Sequence, residues 1–239
     1  MLDFSQFEYL TFDCYGTLID WETGLLAALR PILAAHGVSI SDSDLLMLYG
    51  ELEADAETGP YRSYRQVLEM VVLGLAQRLG FSASPGQVEA LPESLAKWPP
   101  FPDTVEALRK LKSRYKLVIL SNVDDDLFAA STNILQVPFD TVITAQQVRS
   151  YKPSLNNFRM ALERIGRPKE KVLHVAQSLY HDIAPTRDLG ITNVWVNRRG
   201  YRPEATATHS DAGATKPATV TPDLEVLSLA ELAALAVPG

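Results

Sequence analysis

A chain of 239 residues, 46% hydrophobic and 21% charged, is long enough for one α/β domain, or for one plus a smaller inserted domain. A formal charge of −7, with no basic run, argues against a nucleic-acid partner, and no apolar run reaches the ~20 residues of a membrane span. The one cysteine, Cys14, excludes an internal disulfide and a Cys-rich metal site; with an N-terminus lacking signal-peptide character, it fits a reducing, cytoplasmic setting.

Residues 9–12 carry the pattern of a buried strand that stops at Asp13. The segment 21–96 has another texture. Residues 25–29, 45–52 and 64–79 are spaced as helices, and no strand pattern lies among them. Pro92 and Pro99-Pro100 mark the return boundary. From residue 97 the chain alternates: a helix over 102–114, a strand over 116–120, a helix over 127–135 and a strand over 141–144. A helix over 158–165, a strand over 171–176, a helix ending at Gly190 and a strand over 192–196 follow. Residues 201–222, rich in Ala, Thr, Pro and Gly, read as an extended excursion, and 224–235 as a last short strand and helix. The expected fold is α/β, a doubly wound parallel sheet with an inserted helical domain: 1–20 and 97–239 the core, 21–96 the insertion.

Asp13-Cys14-Tyr15-Gly16-Thr17 is the most informative stretch. Gly16 permits a tight turn that lets the following amides converge beside the carboxylate, and Thr17 adds a hydroxyl there. A carboxylate at a strand's C-terminal end is placed as a nucleophile; the competing reading is an Asp that caps the next helix. Three further signals share that position type: Ser121-Asn122, Lys152 before Pro153, and Gln177-Ser178 leading to Asp182. Ligands of open α/β sheets sit outside those strand ends, so Asp13, Ser121, Lys152 and Asp182 can meet in one pocket. His181, with Tyr180, is a candidate water activator, although a hydrogen-bonded structural histidine is the commoner outcome. Asp124-Asp125-Asp126 reads as an exposed helix N-terminus, where carboxylates are favoured. Trp21 and Trp98 read as core and hinge packing.

With these four signals in order, the chain resembles the haloacid dehalogenase superfamily over nearly its whole length. Asp13 matches the nucleophile motif, Ser121 the second motif, Lys152 the third and the 177–182 loop the fourth, while 21–96 matches the superfamily's helical cap. Phosphatases of the superfamily usually carry an Asp two residues after the nucleophile and a metal-binding carboxylate at the start of the fourth motif. Here those positions are Tyr15 and Gln177, and an amide is a poor ligand for a hard dication. The pattern looks instead like the type II 2-haloacid dehalogenases, which use no metal or other cofactor.

That resemblance implies an Asp13 ester formed by displacement of halide from a short 2-haloacid and hydrolysed to a 2-hydroxy acid. Lys152 would keep Asp13 ionised, since an opposite charge within ~4–6 Å favours the carboxylate. Asp182 would pair with Lys152 or help activate water, and Thr17, Ser121 and Asn122 would hold the substrate carboxylate or shape the pocket. Cys14, Tyr15, Gln177, Ser178 and His181 would complete the lining. The branch usually has Ser and Asn in the fourth motif, where this chain has Gln177 and Leu179, and Tyr where it has Phe158. Its halide-receiving cap Arg has no counterpart between Pro31 and Tyr61; Arg62 and Arg65 are the nearest substitutes, three apart on one helical face. A small anionic substrate, no nucleic acid and no membrane are the expected partners, and a homodimer is left open. The alternatives are a Mg²⁺-dependent phosphatase of a small phosphoester and a fold member that has lost its chemistry.

Overall fold

The computed structural model describes residues 2–198, 200 and 220–238; of the excursion expected over 201–222, residues 201–219 lie outside this set. Six strands form one parallel sheet in the order β3-β2-β1-β4-β5-β6, with β1 Tyr9–Phe12, β2 Lys116–Ser121, β3 Thr141–Thr144, β4 Val172–Ala176, β5 Thr192–Val196 and β6 Leu224–Val226. The two central neighbours of β1 are β2 and β4, and Phe12 is in register with Ile119 and Val175. The chain therefore leaves all three strands at nearly one level, which sets Asp13, Ser121 and Gln177 along a single edge.

Strands buried on both faces require unbroken apolar runs, and Leu117-Val118-Ile119-Leu120 is one. Its alternate residues pack on opposite sides: Leu117 and Ile119 join the main core, while Val118 and Leu120 join a second cluster with Phe158, Ile165 and Ile191. Helices α5 (Thr104–Lys112), α6 (Asp125–Leu135), α7 (Ala145–Val148), α8 (Leu155–Ile165), α9 (Ala184–Leu189) and α10 (Leu229–Ala236) fill the links between strands and the C-terminus.

Between β1 and α5 run four helices, α1 Trp21–Ala35, α2 Asp42–Glu57, α3 Tyr64–Leu79 and α4 Pro85–Ser94. Their starts follow side-chain capping. Ser63 with Gln66, and Ser84 with Gln87, form reciprocal capping boxes, and Gly80 ends α3 in the left-handed conformation at φ 76°. Helix α4 has no counterpart in the sequence reading, and Pro92 falls inside it instead of breaking it. A proline there forfeits one intrahelical bond, and both Leu91 and Pro92 are buried, so packing outweighs the loss. Outgoing and returning chain run side by side: the Asp20 amide donates to Pro99 O, and the Phe101 amide to Leu18 O. At that crossing Gly24 of α1 lies under Trp98, where a Cβ would stand 2.2 Å from the indole ring. Among the described residues no helix is long and apolar enough to cross a membrane.

Candidate active site

Asp13 and Asp182 face the same ammonium. Lys152 Nζ donates to Asp13 Oδ1 and Asp182 Oδ1, each at 2.8 Å, and to the Leu120 carbonyl at 3.0 Å, which uses all three of its hydrogens. All three side chains are buried, Lys152 at 2% exposure. The other Asp13 oxygen, Oδ2, accepts from the Thr17 hydroxyl at 2.6 Å, and Thr17 Oγ1 in turn accepts from the Gln177 amide at 2.9 Å. Sequence neighbours of β1 and β4 are thus tied to each other through the hydrogen-bond partner of Asp13.

The turn that makes this possible passes through Gly16 at φ 96°. A Cβ there would stand 3.3 Å from both Gln177 Oε1 and the Trp21 ring, so space as well as backbone angle requires glycine. Arg198, just after β5, clamps the turn from below: Nε and Nη2 donate to the Thr17 carbonyl at 3.2 and 2.8 Å, and Nη1 to Asp103 at 2.7 Å. Asn122 grips the backbone of Lys152 from both sides, accepting from its N–H at 2.7 Å and donating to its carbonyl at 3.1 Å. It positions the lysine, and its amide is committed to that task. Ser121 Oγ, one residue beyond Leu120, is buried with no hydrogen-bond partner.

The charges follow from this packing. Burial pushes the Asp13 carboxyl above its ordinary value; Lys152 works against the rise and the Asp182 charge adds to it. Burial also opposes ionised Asp182, but Lys152 and the hydrogen bond from His174 outweigh it and hold the carboxyl down at about 2. Burial disfavours the lysine's charge, yet the two carboxylates prevail and raise it. Asp182 is therefore ionised beside a protonated lysine, while the Asp13 carboxyl gives up its proton less readily than an ordinary aspartate.

The fourth loop bends through a π-helical turn, Leu179–Ile183, in which the Ile183 amide reaches back to Ser178 O. It turns Asp182 inward. Ser178 caps it by accepting from the His181 amide at 3.0 Å, and its Oγ lies 3.2 Å from His181 Nδ1. Burial lowers His181 to about 4, with Asp182 opposing and Lys152 assisting, so the ring is uncharged at neutral pH. Tyr180 packs edge-on against it, centroids 4.9 Å apart.

Other expected residues are placed elsewhere. Cys14 is fully enclosed in the hydrophobic core, which pushes its thiol up. Tyr15 directs its hydroxyl to Ser131 Oγ at 2.9 Å and its ring edge to Trp98. Arg62 donates to the carbonyls of Ala56 and Thr58 at the end of α2, and Arg65 pairs with Glu93 and Asp126. Neither enters the charge environment of Asp13, because local carbonyls and carboxylates claim both guanidinium groups. Helix α2 brings buried acid instead. Glu53 Oε1 accepts from the Tyr49 and Tyr64 hydroxyls at 2.6 and 2.7 Å. Burial, then Glu53, push Glu57 well above the usual range, and the Lys152 charge works against the rise.

Asp124 corrects the reading of 124–126 as an exposed helix start. It is 2% exposed, and its two oxygens accept from the amides of Tyr64 and Arg65, at 3.0 and 2.9 Å, at the first turn of α3. His174 is a second residue the sequence did not single out. It lies on β4 beside Thr11, between Thr11 Oγ1 (2.8 Å) and Asp182 Oδ1 (3.0 Å). A polar residue inside an otherwise apolar strand was its only signal.

Comparison with known proteins agrees with this geometry. The family model for haloacid dehalogenase-like hydrolases matches residues 7–190. The (S)-2-haloacid dehalogenase H-109 of Pseudomonas putida is 28% identical over 231 residues, 94% of this chain and 96% of that protein. Among solved structures, the L-2-haloacid dehalogenase PA0810 aligns with a TM-score of 0.80 at 22% identity, over 98% of this chain and all of that one. The L-2-haloacid dehalogenase from Xanthobacter autotrophicus aligns with a TM-score of 0.78, also at 22% identity, over 96% of this chain and 98% of that one. The chain belongs to the haloacid dehalogenase-like hydrolase family.

Proposed function

We propose that the protein cleaves the carbon–halide bond of a short 2-haloacid through an ester on Asp13, without a cofactor. In the first step an Asp13 carboxylate oxygen attacks the α-carbon in line, and the halide leaves with the bonding pair. In the second, water adds to the Asp13 carbonyl carbon, the bond to the alkyl oxygen breaks, and a 2-hydroxy acid and one proton are released. Lys152 keeps the nucleophile ionised, and Thr17 holds its orientation.

The observation that carries this reading is Tyr15. A phosphoester's alkoxide leaving group needs a proton from a positioned acid, whereas halide leaves as a stable anion. The residue two positions after the nucleophile has its hydroxyl on Ser131, and burial pushes that hydroxyl well above its ordinary value. The donor set points the same way. Asp13 Oδ1 and Asp182 Oδ1 are both engaged by an ammonium, and Gln177 offers an amide where a third carboxylate would be needed for a hard dication. The unpartnered Ser121 hydroxyl is the free donor for the substrate's carboxylate. In this reading residues 21–96 are a cap over the core and the enzyme works in the cytoplasm on a small anion.

Halide release from L-2-chloropropionate and bromoacetate tests the reading. Release that disappears in Asp13→Asn is expected. A folded protein that frees no halide from a panel of short haloacids would overturn it.

A further inference from the structure

We propose that His174 is a positioning residue for the hydrolytic half of the reaction, fixing Asp182 so that Oδ2 alone is left to take the proton of the attacking water. This rests on the ester mechanism above. His174 is 1% exposed within the sheet, where an imidazole is costly unless both nitrogens are satisfied. Both are. A carboxylate only accepts, so Nε2 carries the hydrogen that Asp182 Oδ1 receives, while Nδ1 shares a hydrogen bond with the Thr11 hydroxyl at 2.8 Å. The edge of the Phe158 ring, 5.4 Å away between centroids, blocks the imidazole from turning.

Two donors thus converge on one oxygen of Asp182, His174 at 3.0 Å and Lys152 at 2.8 Å. Oδ2 is buried with no partner at all. Held by Lys152 alone, the carboxylate could rotate and exchange its two oxygens; held by both, it cannot. When water adds to the Asp13 ester, one of its O–H bonds breaks and the proton passes to Oδ2. The tetrahedral centre collapses with cleavage of the bond between Asp13 Cγ and the substrate-derived oxygen, the departing alkoxide takes the proton back from Asp182, and Asp13 sheds its own proton to solvent. Ester formation does not use this contact, because Asp13 keeps Lys152 and Thr17 without it.

The side-chain amide nitrogen of glutamine reaches the place of imidazole Nε2 and donates, whereas leucine fills the volume and donates nothing. His174→Leu is expected to retain a burst of about one halide per site, to turn over ~100-fold more slowly and to accumulate the ester as an intact-mass adduct. His174→Gln should restore turnover to within a few-fold. Equal loss of burst and turnover in a folded His174→Leu protein, unchanged turnover, or a folded His174→Gln that does not recover would overturn the proposal. If the wild type frees no halide, the dehalogenase reading fails by itself. The placement of His174 is then decided by ¹⁵N NMR of the histidine rings, where a proton on Nε2 supports it and a ring protonated only on Nδ1 refutes it.

Discussion

Lys152→Met removes the ammonium between two buried carboxylates and keeps the length of the aliphatic stem. The ammonium makes three hydrogen bonds of 2.8, 2.8 and 3.0 Å at 2% exposure. Breaking such a pair by deleting one partner costs about 3–5 kcal/mol, and one pKa unit is worth ~1.4 kcal/mol, so the pair's proton affinity should rise by about 2–4 units. Asp13 already lies above its ordinary value and Asp182 near 2, so the added proton settles on Asp13, the nucleophile. The acid limb of the pH–rate profile for halide release should therefore move up by about 2 units or more, with a loss below the new limb that is regained in alkali. Stability has the opposite sign from ordinary acid unfolding. A carboxyl whose folded pKa is raised contributes least once it is ionised, so the melting temperature of the variant should fall as pH climbs through the raised folded value. Activity within about threefold of wild type at every pH, or an acid limb that stays in place, would refute the assignment of Lys152 as the charge that holds Asp13 ionised.

Glu57→Gln should abolish a pH dependence of KM. As pH rises through the elevated Glu57 value, a further buried carboxylate develops within the field of Lys152, so KM for an anionic haloacid should climb in the wild type and stay level in the variant. Gly16→Ala must accept φ 96° and a 3.3 Å contact with Gln177 Oε1; denaturant melts should show a loss of about 1–3 kcal/mol, with kcat falling as the Asp13–Thr17 contact shifts. Asp124→Ala leaves the amides of Tyr64 and Arg65 unpaired, and about 1–2 kcal/mol should be lost, with faster hydrogen exchange confined to the first turn of α3.

The parallel sheet could be read from residue order because its strands are short apolar runs closed by polar residues, and the same punctuation singled out Asp13 and Ser121; Lys152 lies beyond α7, eight residues after β3 ends. Strand ends are where an α/β sheet gathers ligands, so chemistry and topology gave one signal. Side-chain direction was not available in that way. The helical spacing of Arg62 and Arg65 is not realised, because Arg62 lies ahead of α3 and donates to carbonyls at the end of α2, while Arg65 is captured by the carboxylates of Glu93 and Asp126, which are distant in sequence. Asp124 looked like a solvated helix start because its partners are amides of a helix some sixty residues earlier. His174 was hidden by its strand: an isolated polar residue among Val172, Leu173 and Val175 says nothing of a carboxylate that arrives from the following loop.

The clamp made by Arg198 extends further than the turn it grips. Asp103, its ion-pair partner at 2.7 Å, uses its second oxygen to receive the amides of Leu229 and Ala230, the opening of the last helix. The carbonyl of Thr17 is thus wired, through one guanidinium and one carboxylate, to the first turn of α10, so a chain cut short ahead of residue 229 would keep Asp13, Lys152 and Asp182 and lose the anchor at the far end of this fastening.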